Sequence, residues 1–245
     1  VCSSDLWMRM FFTISTLIVA VPTGVKIFSW VATLWGGKIR FTSAMLFAIG
    51  LLSMFVIGGL SGVTLGTAPF DLHVHDTYYV VGHFHYVLFG GSVFGLYAGV
   101  YHWFPKMTGR MLNEFWGRVH FVMTFIGTHL TFLPMHSLGL HGMPRRVAMY
   151  DPQFEFLNHL CTFGAFLLGL SVLPFLINAA WSWLYGPKAV DNPWDALTLE
   201  WLTTSPPPIE NWEGEPPLVT HPYGYGAKKA KRDRKSTRLN SSHRT

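Results

Sequence analysis

Long apolar stretches separated by short polar segments make up the first three quarters of the chain. A membrane-spanning helix needs about 20 mostly apolar residues, and five stretches meet that need: approximately 9–35, 41–62, 76–104, 115–137 and 155–185. After residue 185 the sequence becomes polar and rich in proline, which is typical of an extended segment outside the membrane. The pattern predicts an all-α fold, a polytopic membrane helical bundle over residues 7–185, followed by a Pro-rich tail over 186–226.

Basic residues in the connecting loops predict the orientation of the bundle. The first and third loops contain Lys38, Arg40, Lys106 and Arg110, whereas the second loop, around 63–75, has no lysine or arginine. Because cytoplasmic loops carry the excess of basic residues, the first and third loops and the C-terminus are predicted to be cytoplasmic. The fourth loop then faces outward although it carries two arginines, which suggests that these meet a fixed anion or are simply solvated.

Composition supports a membrane protein and argues against several other classes. Of the 245 residues, 13% are charged, whereas soluble domains have about 25%. The net charge of +5 comes from the last 19 residues, so it does not indicate nucleic-acid binding. The sequence has only two cysteines, which predicts neither a disulfide framework nor a cysteine metal site.

Both ends of the sequence look foreign to the rest. Residues 1–6 have no signal-peptide pattern, and residues 227–245 form a basic run predicted to be disordered. We expect 1–6 and 234–245 to be non-native segments, with a genuine disordered tail as the alternative.

The segment HDTYYVVGHFHYV, residues 75–87, contains the most informative polar residues. His83 and His85 lie two positions apart, so on a helix they point about 200° apart. They therefore cannot share one metal, but they can bind two metal centres on opposite sides of one helix. The alternative is two hydrogen-bonded core histidines. Intramembrane ionisable residues are costly and usually functional, and His75 with Asp76 just upstream favours the functional interpretation.

These motifs resemble subunit I of the haem-copper oxidases, from about Phe11 to Val219. The resemblance rests on VPTGVKIFSW, HDTYYVVGHFHYVLFGG, YHWFPKMTGRMLNEFWG and TFLPMHSLGLHGMPRR, and the tail NPWDALTLEW with SPPP is similar to the bacterial aa3-type branch. It implies that His83 is the iron ligand of the high-spin haem, haem a3, and that His85 is an axial ligand of the low-spin haem, haem a.

The resemblance also assigns the polar residues of the outward side. It implies that Arg145 and Arg146 bind the haem propionates, for which the planar guanidinium is well suited. This would explain the two arginines in an outward loop. It further implies that His75 and Asp76 bind magnesium near the propionates. We therefore expect both pairs at the same membrane level, with Asp71 or Asp76 as a carboxylate partner of the arginines.

Thr23 and Lys26 lie three residues apart, so they share a face of the first helix. Lys26 is predicted to sit well inside the membrane, where an ammonium group is costly unless it is partnered. The resemblance assigns both residues to an inward proton route. The remaining histidines of the membrane region have no paired spacing and are predicted to be hydrogen-bonded or interfacial: His102, His120, His129, His136, His141 and His159.

The family subunit has twelve membrane helices, so five predict a C-terminal piece of a longer parent. The second low-spin haem ligand and the ligands of copper B are then expected upstream, and this piece alone is expected to be inactive. The implied function of the parent is electron transfer from cytochrome c through two haems to O₂, with proton pumping. Subunits II and III are the implied partners, in the bacterial plasma membrane. A quinol oxidase, a non-redox proton-relaying transporter and a b-type haem electron carrier remain alternatives.

Overall fold

The computed structural model describes residues 3–212, with side chains from residue 7 onward. Within this range the regular secondary structure is helical and contains no β-strand, which confirms the predicted all-α class. The predicted terminal segments at 1–2 and 213–245 lie outside the described residues. The helices are α1 (Ser3–Leu34), α2 (Ser43–Leu65), α3 (Ala68–Val74), α4 (Tyr78–Leu88), α5 (Phe94–Thr108), α6 (Glu114–Leu140) and α7 (Glu155–Tyr185).

Each of the five predicted spans coincides with helix. Over the described residues, three helices are long and apolar enough to cross a membrane by length and composition, namely Trp7–Leu34, Ser43–Leu65 and Pro152–Tyr185. The predicted span 76–104 is divided into α4 and α5 by a π-helical segment, Phe89–Val93. Helix α6 is long enough but carries many polar side chains, which lower its apolarity.

Two compact units divide the described chain, and the larger contains residues up to Tyr101 together with Glu114–Leu176. In this unit α4 lies between α2 and α6, where Tyr86 and Phe94 are fully buried. Buried hydroxyl groups join α6 to α7, because Thr124 Oγ1 donates a hydrogen bond to Ser171 Oγ over 3.0 Å. Interhelical hydrogen bonds of this kind are common in membrane bundles.

Among the described residues, the second unit contains His102–Asn113 and 177–212. The Nζ of Lys106 donates hydrogen bonds to the carbonyl oxygens of Thr203 at 2.6 Å and Thr204 at 3.1 Å. The indole nitrogen of Trp194 donates to the carbonyl of His102 at 3.0 Å. The expectation of an extended tail is therefore wrong for the described part, which folds back because it supplies carbonyl oxygens and aromatic rings to the end of α5.

Helix α1 has no buried residue along its apolar span. Lys26 is exposed on it, whereas Thr23 is half-buried and donates its hydroxyl hydrogen to the Val19 carbonyl at 3.0 Å. The face of α1 that carries Lys26 is not covered by other described residues. The position of Lys26 well inside the membrane stays a prediction.

Candidate functional site

His83 is held by α2 through its Nδ1 atom. This nitrogen lies 2.8 Å from the carbonyl oxygen of Gly58 and 3.1 Å from Ser61 Oγ. Ser61 Oγ also donates to the Gly58 carbonyl over 2.9 Å. A carbonyl oxygen only accepts hydrogen bonds, so Nδ1 carries the imidazole proton, and Nε2 keeps a free lone pair that can bind a metal.

Gly62 allows the imidazole of His83 to lie against α2. A Cβ atom at position 62 would be 2.7 Å from Cε1 of His83, so any side chain there would displace the imidazole. The same imidazole borders a cavity of about 650 Å³ between α1, α2 and α3. Phe12, Thr16 and Asp71 are among its other lining residues.

His85 has a different environment on the other side of α4. Its Nδ1 lies 2.8 Å from the carbonyl oxygen of Val81, one turn earlier in the same helix. This again places the proton on Nδ1 and leaves Nε2 free. The ring stacks on Phe132 of α6, with centroids 4.4 Å apart and planes 12° apart, and on its neighbour Phe84.

The two histidines therefore face different helices, as predicted from their spacing. His83 contacts α2 and lines the cavity, whereas His85 packs on α6 and does not line that cavity. Both side chains are half-buried. Each imidazole is fixed through one nitrogen and available through the other, which is the donor arrangement that a metal ligand needs.

Contacts between α4 and α6 hold the ligand helix in place. The hydroxyl of Tyr86 lies 2.7 Å from Nδ1 of His129. Gly139 permits close approach of α6 to α4, since a Cβ atom there would overlap the backbone nitrogen of Tyr79. His136 also packs here, and its two buried ring nitrogens have no hydrogen-bond partner among the described residues.

A second cluster of polar residues lies at the start of α4. The Nε of Arg145 donates to Oδ1 of Asp76 over 2.7 Å, and its backbone nitrogen donates to the Asp76 carbonyl over 2.9 Å. The Tyr78 backbone nitrogen also bonds the Met143 carbonyl at 3.0 Å. The expectation that the 75–76 and 145–146 pairs lie together, with Asp76 as the carboxylate partner, is confirmed for Arg145.

The contact with Arg145 lowers the pKa of Asp76. The hydrogen bond from Arg145 is the main cause that holds the pKa of Asp76 below its usual value, and the positive charges of Arg145, His75 and Arg146 add to it. Arg146 itself is exposed, with a left-handed backbone at φ 65°. Its guanidinium therefore faces solvent beside the Asp76–Arg145 pair.

The predicted magnesium ligands lie side by side. His75 Nε2 is 3.7 Å from Oδ2 of Asp76, and its Nδ1 is 3.3 Å from Oδ2 of Asp71. Among the described residues, no group of three histidine, cysteine or acidic side chains is arranged to hold a metal ion. Mg²⁺ often takes only one or two protein carboxylates and keeps several waters, so this exposed pair is compatible with magnesium but does not form a complete protein cage.

Sequence reasoning did not find several residues of the site. Ser61, Phe132 and the Tyr86–His129 pair were missed, because their roles arise from contacts between helices. The Gly58–Gly59–Leu60–Ser61–Gly62 run is a partial signal, since small residues in an apolar helix indicate close approach by a neighbouring helix. Thr23 and Lys26 lie on α1 and are not among the residues in contact with His83 or His85.

Similarity to known proteins shows the family of this chain. The family model described as cytochrome c and quinol oxidase polypeptide I matches residues 2–167. The chain belongs to this family. The fold is also similar to a chain in a cryo-EM structure of a heme-copper terminal oxidase dimer, with a TM-score of 0.62, 19% identity, and coverage of 74% of this chain and 37% of that chain.

Curated members of the cytochrome c and quinol oxidase polypeptide I family are similar over most of this chain. Cytochrome c oxidase subunit 1 of Thermostichus vulcanus is 77% identical over 220 residues, which is 90% of this chain and 40% of that protein. The Synechocystis subunit 1 is 65% identical with the same coverage. The Bacillus subtilis subunit 1 is 48% identical over 84% of this chain and 33% of that protein. The chain thus spans about two fifths of the length of its first relatives.

Proposed function

We propose that the complete subunit is the catalytic subunit of a respiratory terminal oxidase that passes electrons from cytochrome c through two haems to O₂. The reaction reduces O₂ to water and is coupled to proton pumping. The observation that carries the proposal is the pair of imidazoles on opposite sides of α4, each with Nδ1 hydrogen-bonded and Nε2 free.

In this proposal His83 binds the iron of the high-spin haem a3 and His85 binds the iron of the low-spin haem a. When bound, the haems supply one-electron transfer and the site of oxygen chemistry. The chain's own contribution is to fix the ligands. Gly58 and Ser61 hold the His83 tautomer, the Val81 carbonyl holds that of His85, and hydrogen bonding at Nδ1 makes the opposite nitrogen a better donor.

Arg145 and Arg146 are proposed to neutralise the haem propionates. A guanidinium has five N–H donors, so Arg145 retains donors beyond those used by Asp76. The exposed Arg146 offers a second positive charge beside it. His75 and Asp76 are the proposed protein ligands of magnesium on the same side.

Two further parts of the proposal depend on the complete subunit. The copper B ligands and the second axial ligand of the low-spin haem are expected upstream of this chain. Thr23 and Lys26 are proposed to belong to an inward proton route. The subunit is proposed to lie in the bacterial plasma membrane with a cytoplasmic C-terminus, together with subunits II and III.

The electron donor separates two closely related activities. Relatives that are 77% and 65% identical to this chain are named cytochrome c oxidase subunit 1, which favours cytochrome c. The family description also includes quinol oxidases. Measuring oxygen consumption of the purified complete oxidase with reduced cytochrome c and with a quinol, each as the only donor, decides between them.

Replacement of each histidine in the complete subunit tests the haem assignments. We expect His83→Ala to remove the high-spin haem and to leave low-spin bands in the visible spectrum, and His85→Ala to remove the low-spin bands. His141→Ala is the matched control, because His141 is exposed at the end of α6. A native subunit without haem bands would contradict the oxidase and favour the transporter. Protohaem bands without oxygen consumption would favour the b-type electron carrier.

A further inference from the structure

The imidazole of His85 is held in one plane by a residue of another helix. Phe132 of α6 stacks on it, with the ring centroids 4.4 Å apart and the planes 12° apart. Phe132 is 7% exposed, so its ring is packed inside the bundle. The near-parallel contact restricts rotation of the imidazole about its Cβ–Cγ bond, a torsion that is otherwise broad for histidine.

The backbone of α6 at Phe132 lies close to α4. A Cβ atom at position 82 would be 3.1 Å from the Phe132 carbonyl oxygen, so the two helices are close together at this level. The ring of Phe89 lies on another side, 5.9 Å from that of Phe132. The ring on which His85 stacks is therefore enclosed by its neighbours rather than exposed at the surface.

A hydrogen bond beside His85 fixes the rotation of α4 relative to α6. Tyr86 is fully buried, and its hydroxyl lies 2.7 Å from Nδ1 of His129. Helix α6 thus controls both the direction in which residue 85 projects and the plane of its ring. The Val81 hydrogen bond determines which nitrogen is free, and the Phe132 ring adds a flat surface that further restrains the plane of the imidazole.

We propose that Phe132 is a positioning residue that sets the plane of the His85 imidazole and so its orientation as an axial ligand. This rests on the proposed function of His85 as a ligand of the low-spin haem. The orientation of an axial imidazole determines how the iron d orbitals split, and such ligand geometry is one means by which a protein tunes its haem. Phe132 touches no iron in this proposal and acts only through His85.

The test uses the complete oxidase and measures the electron paramagnetic resonance spectrum of the oxidised low-spin haem. In Phe132→Leu, we expect the haem to be retained and its g-values to shift, because leucine fills the space without a flat ring. In Phe132→Tyr, we expect native g-values, because the flat ring is kept. Phe121→Leu is the matched control on the same helix, since Phe121 packs on Phe47 and Phe94 rather than on His85.

Each outcome bears on the proposal. Native g-values in Phe132→Leu would overturn it. If Phe132→Leu loses the low-spin haem, the spectrum of Phe132→Tyr decides. A native spectrum in Phe132→Tyr supports the proposal, whereas loss of the low-spin haem from both variants overturns it. If His85 is not a ligand of the low-spin haem, the native oxidase shows no low-spin haem signal that His85→Ala removes. That result differs from every outcome of the Phe132 variants, so the two failures can be told apart.

Discussion

At the scale of single residues, a glycine decides whether His83 can occupy its place on α2. Gly62→Ala puts a methyl group 2.7 Å from Cε1 of His83. We expect the imidazole to be displaced, with a loss of stability of about 1–3 kcal/mol, as is usual for overpacking. Haem content of the complete subunit and its thermal unfolding temperature should both fall.

Gly59→Ala provides the control for this prediction. Nothing lies within 4 Å of a Cβ atom at position 59, although it is on the same helix. Alanine there is expected to leave haem content unchanged and to stabilise the helix by up to about 1 kcal/mol. Equal haem loss in both variants would show that α2 is sensitive to any substitution and would contradict the specific contact with His83.

The Asp76–Arg145 pair predicts a pH dependence of stability. Because the pKa of Asp76 is lowered in the folded protein, mainly by the hydrogen bond from Arg145, the pair stabilises the fold above the usual pKa of the carboxyl group. This contribution disappears as the pH falls through the lowered pKa. Thermal unfolding should show that Asp76→Asn is less stable than the native subunit at neutral pH and that the difference narrows in acid.

A matched control for Asp76→Asn is Asp151→Asn, because Asp151 is exposed and forms no side-chain cap hydrogen bond. It should give no comparable difference at neutral pH. The difference in stability between the native subunit and Asp76→Asn should therefore depend on pH. If it stays constant down to strongly acid pH, the role of the ionised carboxylate is contradicted.

Some contacts of single residues could be predicted from the sequence, and others could not. The opposite directions of His83 and His85 follow from the turn of one helix, so local geometry was enough. The partner of Arg145 was also expected, because the resemblance places both polar pairs near the haem propionates. The roles of Ser61 and Phe132 could not be derived, because they depend on which helices pack together and in what rotation.

At the scale of elements, α6 and α7 are packed closely through glycines. A Cβ atom at Gly164 would lie 2.6 Å from the backbone nitrogen of Thr131, and one at Gly127 would lie 2.9 Å from that of Leu168. Small residues that allow backbones to approach are a main source of helix association in membranes. The close approach of α6 and α7 therefore depends on small residues at these two positions.

Gly164→Ala tests this dependence. We expect a loss of about 1–3 kcal/mol in the free energy of unfolding, because backbone atoms cannot rotate away from the new methyl group. Gly169→Ala on the same helix has open space around its Cβ position and is expected to be neutral or slightly stabilising. Denaturation in detergent measures both, and equal stability of the two variants would contradict close packing at residue 164.

Element positions were more predictable than the details within them. Each predicted span contains helix because apolar length alone predicts a membrane helix. The π-helical segment Phe89–Val93 between α4 and α5 was not predicted, since it leaves no period in the sequence that differs from an ordinary helix. The folded part of the tail was missed because its proline-rich composition resembles that of an extended linker, whereas Lys106 and Trp194 tie it to the end of α5.

At the scale of the whole molecule, α1 is the helix that is least covered by the rest of the described chain. Its apolar span has no buried residue within the described structure, and the chain covers about two fifths of the first relatives. Lys26 is on this helix, about 12 Å from its end at Leu34 at 1.5 Å per residue. An exposed ammonium at that depth in lipid is costly, so in the complete subunit we expect Lys26 to face protein or water.

Lys26→Met in the complete oxidase tests the proposed proton route. Methionine keeps the length and apolar contacts of the side chain but removes the nitrogen that carries a proton. We therefore expect folding and haem content to survive. Steady-state oxygen consumption should fall at least about tenfold, which corresponds to an increase of about 1.4 kcal/mol in the activation barrier. Lys38→Met, in the exposed loop after α1, is the control and should keep native turnover. If Lys26→Met retains its haems and consumes oxygen at the native rate, the proton-route assignment is contradicted. If Lys26→Met fails to fold, Lys26 has a structural role instead.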